Sequence, residues 1–161
     1  MYAIVRNVPS SFASCVTSLD KKYDPFNIGL AKKQHEDYVG IIREPVEQMI
    51  EIPPDEGHSR CCFVEDIAVV VEDEAIVNFL GSESRRKEVS GVEKGVPVIK
   101  DTVHMHEIDP EATLDGEDVL YTGKHLLIGL SHCTKPTWCR CPKQRVFRKV
   151  PRLHYTESLG P

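Results

Sequence analysis

The stretch Cys62-Phe63-Val64-Glu65-Asp66-Ile67-Ala68-Val69-Val70-Val71 constrains the fold of this chain more than any other. Its second half is an apolar, β-branched run that reads as a buried strand. Its first half sets two adjacent carboxylates, Glu65 and Asp66, against that strand. Buried carboxylates are costly unless something cationic meets them. On a strand, neighbouring side chains leave from opposite faces, so one of the pair would face any given site and the other would pair elsewhere. On these residues alone a plainer reading comes first: Glu65 ends a loop in water and Asp66 bonds local backbone amides.

The flanking sequence alternates strands and helices. Ala3 to Val8 reads as a strand broken by Pro9, and Ser10 or Ser11 as the cap of a helix through Phe12, Val16 and Leu19. A second helix is expected over Gly29 to Arg43, with Leu30, Gln34, Tyr38 and Ile41 or Ile42 on its inner face and Pro45 ending it. Met49 to Ile52 is the next strand. Ala75 to Phe79 returns as the hairpin partner of the opening stretch. Ser84-Arg85-Arg86-Lys87-Glu88-Val89 looks like a capped helix start carrying three cations in its first turn, where the helix dipole disfavours them. An anionic partner for at least one would account for that; a solvated basic face is the simpler reading. Val98 to His106 reads as a strand. Val119 to Ser131 reads as strand, glycine turn and strand. The similar order of 3–79 and 80–131 suggests an internally repeated α/β design, which self-similarity of the sequence does not prove.

With 161 residues the chain has room for one domain with a real core. No apolar run approaches the ~20 residues of a membrane span, and the first residues lack the basic and apolar regions of a signal peptide. The expected location is the cytoplasm, with the six cysteines reduced. The net charge of −5 hides an asymmetry: residues 134–161 carry seven Lys/Arg and one acid, Glu157, giving +6 there against −11 for the remainder.

Three motifs, Phe63-Val64-Glu65-Asp66-Ile67-Ala68-Val69-Val70, Ser84-Arg85-Arg86-Lys87-Glu88-Val89 and Ala112-Thr113-Leu114-Asp115-Gly116-Glu117-Asp118-Val119-Leu120, closely resemble the dimethylarginine dimethylaminohydrolase (dimethylargininase) family. Gln34-His35-Glu36-Asp37-Tyr38-Val39-Gly40 and Gly129-Leu130-Ser131 agree with it. The resemblance runs from about Tyr2 to Thr134. It implies an α/β fold of the pentein superfamily, a pseudo-fivefold α/β propeller of which this chain would hold about half, over residues 1–134. Residues 135–161 would be a divergent basic tail, disordered or out of frame.

The resemblance also implies a chemistry. Family members hydrolyse methylated arginines to citrulline plus an amine, which relieves inhibition of nitric oxide synthesis. The substrate guanidinium is planar and cationic, and carboxylates grip its N–H fork. By resemblance Asp66 would hold the guanidinium, Glu65 would contribute to the substrate pocket, and Arg85 would pair with the substrate's α-carboxylate. A Cys thiolate attacks the guanidinium carbon, and a His protonates the leaving amine and then activates water. Asp115 stands where the family has the carboxylate that orients this His.

The nucleophile and the His belong to the half of the family sequence that the resemblance does not reach. No nucleophile, metal ligand or cofactor is therefore assigned, and the isolated 161-residue chain is expected to be inactive. Arg60 replaces an acidic substrate contact, Cys133 an arginine, Thr17 a leucine, and Gly116-Glu117-Asp118 a Gly-Gly-Asp motif. His154, in Arg152-Leu153-His154-Tyr155, resembles the family's Leu-His-Leu only superficially and is read as coincidence.

Two further classes stay in view. His132, Cys133, Cys139, Cys141 and His154 offer zinc ligands, but Cys-x-Cys lacks the usual two-residue spacer. The chain would alternatively be a non-catalytic binder of arginine derivatives. No nucleic-acid or membrane partner is expected, while open sheet edges allow self-association.

Overall fold

The computed structural model describes residues 2–15, 26–93, 101–137 and 152–157. The chain is α/β and divides into two compact units, Met1–Val64 and Glu65–Pro161. The expected sites at Thr17, Cys139 and Cys141 lie outside the described residues, as do the first residues of the strand expected from Val98.

In the first unit, β1 (Tyr2–Arg6) and β2 (Gln48–Ile52) pair in parallel, with Tyr2 opposite Gln48 and Arg6 opposite Ile52. A parallel pair needs a crossover, supplied by α1 (Ile28–Arg43). Asn27 caps this helix, its side chain accepting the Leu30 N–H at 2.9 Å. The inner face of α1 differs from the expected one. Leu30, Tyr38 and Ile41 are 53%, 57% and 71% exposed, whereas Val39 is buried and Ile28, Ala31, His35 and Ile42 are half-buried. The helix carries two apolar stripes, and packing selects the one through Val39.

The helix expected after Pro9 is a single 3-10 turn, Ser10–Ser14, within the described residues. Its first amides are capped by neither serine. The Glu56 carboxylate accepts the Ser10 and Ser11 N–H groups at 2.7 and 2.8 Å. Those bonds hold Glu56 below the usual carboxylate range.

In the second unit the same topology occurs twice. β3 (Ala68–Val71) pairs antiparallel with β4 (Glu74–Val77), and β4 pairs in parallel with β5 (Asp101–His104). Likewise β6 (Val119–Tyr121) is antiparallel to β7 (His125–Leu130), and β7 is parallel to β8 (Arg152–Glu157). The repeat is real, with other boundaries than the sequence suggests. A 3-10 turn bearing adjacent acids stands at the entrance to each hairpin: Val64–Asp66 before β3 and Gly116–Asp118 before β6. Glu65 and Asp66 therefore sit on a turn, not on strand faces.

The strand of the opening stretch is confined to Ala68–Val71, and a tight turn with Glu72 at φ 58 reverses it into β4. β5 gives way to a short helix, α2 being Val89–Glu93 and α3 Met105–Ile108, so His104 and His106 do not share a strand. Their rings are still 5.6 Å apart. Val69, Val71, Ile76, Met105, Ala112, Leu114, Leu126 and Ile128 form one core between the two sheets.

Within the tail expected to be disordered or out of frame, Arg152–Glu157 forms a strand. It lies along β7, with His125 opposite Arg152 and Leu130 opposite Glu157. The free edge of β7 offers a row of backbone groups, and ladder pairing orders a segment whose composition alone does not.

Candidate functional site

The candidate residues Glu65, Asp66, Arg85 and Asp115 all lie in the second unit. Arg85 leaves the 3-10 turn Glu83–Glu88 and is buried. One terminal nitrogen, Nη1, donates to Asp66 Oδ2, while Nε and Nη2 donate to Glu88 Oε2 at 3.1 and 3.0 Å. Asp66 and Glu88 are buried too. Burial works against the Arg85 charge, but the Glu88 and Asp66 carboxylates outweigh it and hold the guanidinium pKa above its ordinary value. The turn begins at Glu83, after Ser82, so Arg85, Arg86 and Lys87 lie in its last turn and not in a first turn capped by Ser84 as expected, and Arg85 pairs with Asp66 and Glu88. The sequence reading gave Asp66 to a ligand guanidinium and Arg85 to a ligand carboxylate and did not pair the two; Glu88 was missed, although its i,i+3 spacing from Arg85 offered a signal.

The other oxygen of Asp66 accepts the Glu117 N–H at 3.2 Å, and its backbone carbonyl accepts Asn78 Nδ2 at 2.8 Å. These bonds join the two acid-bearing turns. Gly116 makes the junction possible: a Cβ there would stand 1.8 Å from the Glu65 carbonyl oxygen. Glu65 itself is exposed as a residue. Desolvation of its carboxyl, reinforced by the Asp66 and Glu117 charges, raises its pKa.

Asp115 is buried, and its Oδ1 accepts the Gly81 N–H at 3.0 Å. Its own N–H donates to Thr134 Oγ1 at 3.1 Å. Thr134 and Ser131 in turn donate to Asp118 Oδ2, both at 2.6 Å. The loop after β7 is therefore stitched to the turn before β6. The Cys133 thiol lies on Asp115. Burial pushes that thiol up, and Asp115, Glu117 and Asp118 add to the effect, to about 11. A thiol so held is a poor nucleophile at neutral pH. Asp118 and Thr134 brace this turn, and sequence reasoning did not single them out.

Asp66 and Arg85 are thus brought together, and Glu65 and Asp115 are tied to them through the 115–118 turn. In the first unit Arg60 is exposed, with its guanidinium 5.6 Å from the Phe63 ring centroid. Phe63 in turn packs on Phe12 at 5.8 Å. Among the described residues no group of three or more His, Cys, Asp or Glu is arranged to hold a metal ion. No helix of the described residues is long and apolar enough to cross a membrane.

No protein-family model matches the chain. It is 34% identical over 135 residues to the human protein described as putative hydrolase DDAH2, covering 83% of this chain and 46% of that one. It is 35% identical over 101 residues to the N(G),N(G)-dimethylarginine dimethylaminohydrolase of Streptomyces coelicolor, covering 63% and 38%. The chain is a relative of the dimethylarginine dimethylaminohydrolases. It spans about half the length of the curated relatives it matches. In fold it resembles the Pseudomonas aeruginosa dimethylarginine dimethylaminohydrolase solved as a Cys-to-Ser mutant with citrulline. The TM-score is 0.83 at 24% identity, over 97% of this chain and 61% of that one. The N-terminal domain of a cyanobacterial arginine dihydrolase bound to product gives a TM-score of 0.77 at 10% identity, over 98% and 57%. The dimethylargininase motifs and the α/β architecture therefore point the same way.

Proposed function

We propose that this chain carries part of a dimethylargininase-type site: the side that recognises a methylated arginine by charge, without the nucleophile that would turn it over. The observation that carries this reading is the convergence of Glu65, Asp66, Arg85 and Asp115, residues of three family motifs, on two joined turns of one unit. In this reading Asp66 holds the ligand guanidinium, Arg85 its carboxylate, and Asp115 the acid/base imidazole. Asp66 and Arg85 now neutralise each other, so a ligand that pairs with both must exchange that contact for its own. The architecture corresponds to about half of a pentein propeller. The setting is cytoplasmic arginine metabolism that bears on nitric oxide, and uncovered sheet edges permit self-association.

The test is citrulline release from asymmetric dimethylarginine by the purified 161-residue chain, run beside a thermal-shift titration with the same compound. The expected result is a ligand-dependent rise in Tm with no citrulline. Citrulline formation would sink the prediction of inactivity, and the absence of any shift at millimolar ligand would sink the binding reading.

One observation favours a second reading for His154. The segment Arg152-Leu153-His154-Tyr155, which resembles the family's Leu-His-Leu, is the third strand of a repeat and not a stray tail. In this reading His154 is the acid/base that Asp115 would orient, and the sequence is in frame at β8. The nucleophile is still lacking. Sequencing the transcript across the codons for Cys133 to Pro161 discriminates: a one-base shift restoring a different Leu-His-Leu segment would remove His154 from consideration.

A further inference from the structure

His154 meets a second histidine. Its Nε2 is 2.8 Å from Nδ1 of His125, and the two rings lie within 23° of parallel with centroids 5.0 Å apart. That centroid separation is close to the N–N distance plus the two ring radii. The nitrogens therefore point at one another nearly edge to edge, as in an imidazole–imidazole hydrogen bond and unlike face-on stacking. Both rings belong to the parallel β7–β8 pair, where Arg152 stands opposite His125 and His154 opposite Leu127. The bond ties the first residue of β7 to the third of β8.

We propose that His125 and His154 form a proton-controlled latch that holds β8 against β7. The bond needs one N–H and one lone pair. With no extra proton the pair makes N–H···N, and with one it makes a stronger charge-assisted bond. With two, a pair of N–H groups face each other at hydrogen-bond distance, the lone pair is gone, and like charges repel. Histidine is the side chain whose charge changes between about pH 5 and 8. An imidazolium carries N–H on both ring nitrogens, so a proton on each ring and the closed latch exclude one another.

Lys124 adjoins His125 in the chain. Tyr121 donates its hydroxyl to the Gly123 carbonyl, and Thr122 Oγ1 accepts the His125 N–H at 3.1 Å, so the turn holds His125 in place. Asp118 lies beyond the far end of β7, engaged by Ser131 and Thr134. Among the described residues neither imidazole has an ion pair with a carboxylate that would favour the doubly charged state. The sign follows: the latch holds above the histidine range and is lost below it. β7 runs directly into the Ser131–Thr134 loop that braces Asp115, so opening at β8 loosens the strand next to the site.

The experiment is hydrogen exchange on the full chain at pH 8, 6.5 and 5, corrected for intrinsic rates, followed in peptides covering 152–157 and 125–130. The expected result is protection of 152–157 that falls at least tenfold from pH 6.5 to 5, with a smaller change in β3 and β4. His125→Phe and His154→Phe should each remove that pH step. Protection of 152–157 that is flat with pH, or a step that persists in both variants, overturns the latch. Should a variant unfold, ring 15N shifts of the parent chain decide. Linked titration of His125 and His154 supports the pair, and independent titration overturns it.

Discussion

The Arg85 guanidinium lies directly on the Asp66 carboxylate, with both side chains buried. Nineteen residues separate them in sequence, and Glu88 takes the other edge of the same guanidinium. Breaking a buried pair from one side leaves an uncompensated charge in a site of low dielectric, which costs far more than the pair contributes when intact. Arg85→Ala should therefore lower stability by about 3–5 kcal/mol, read as a fall in the urea midpoint. Arg85→Lys should recover only part of this, because an ammonium cannot span both acids with a planar fork. An Arg85→Ala chain as stable as the parent would show that the burial of this cluster is misjudged.

Glu65 supplies a pH signature. Its pKa is raised, so the folded state favours the protonated acid and ionisation works against folding. The penalty is absent at low pH, enters as pH rises past the ordinary carboxylate value, and is complete above the raised one. Glu65→Gln should match the parent in Tm at acid pH and exceed it at pH 7. Equal Tm values at both pH values would contradict the shift.

Gly116 and Gly129 offer a contrast between neighbours of the same turn and hairpin. A Cβ at Gly116 would collide with the Glu65 carbonyl at 1.8 Å, and at Gly129 would find its first neighbour, the Asp118 carbonyl oxygen, at 3.7 Å. Gly116→Ala should cost upwards of about 3 kcal/mol, the upper part of the overpacking range. Gly129→Ala should cost less than about 1 kcal/mol, as expected where the added methyl meets only ordinary van der Waals contact. Thermal unfolding of both variants measures the difference.

The Cys133 thiol can be read by alkylation. A pKa near 11 in place of 9.0 leaves roughly a hundredfold less thiolate at pH 8. Iodoacetamide should modify Cys133 far more slowly than the partly exposed Cys62, followed by peptide mass. Asp115→Asn should speed it by removing the largest nearby charge. Equal rates at the two cysteines would argue against the acid environment.

Much of this was legible because local patterning and tertiary need agree. The runs Ala68–Val71 and Ala75–Val77 are apolar and rich in β-branched residues, flank a short polar turn, and form the expected hairpin. The three cations of Ser84–Val89 called for an anionic partner, and one of them, Arg85, turns inward to Asp66 and Glu88, although the turn begins earlier, at Glu83, and holds the cations in its last turn. The rest depended on partners distant in the chain. The two apolar stripes of α1 could not be ranked without knowing what packs beneath Val39. The basic, proline-rich composition of residues 135–161 argued against order, and the strand within it owes its order to the edge of β7. Glu56 caps an element more than forty residues earlier, a contact no local window contains.

The acid-bearing turns Val64–Asp66 and Gly116–Asp118 stand at the same place in two copies of one strand pattern. Each copy brings its own carboxylates to the entrance of its hairpin, and the copies meet through the Asp66–Glu117 bond. Negative potential at this spot is thus a by-product of using one corner twice. A chain that duplicates such a module concentrates charge without evolving each acid separately, and a single arginine on the segment following the first hairpin is then enough to turn the excess into a grip.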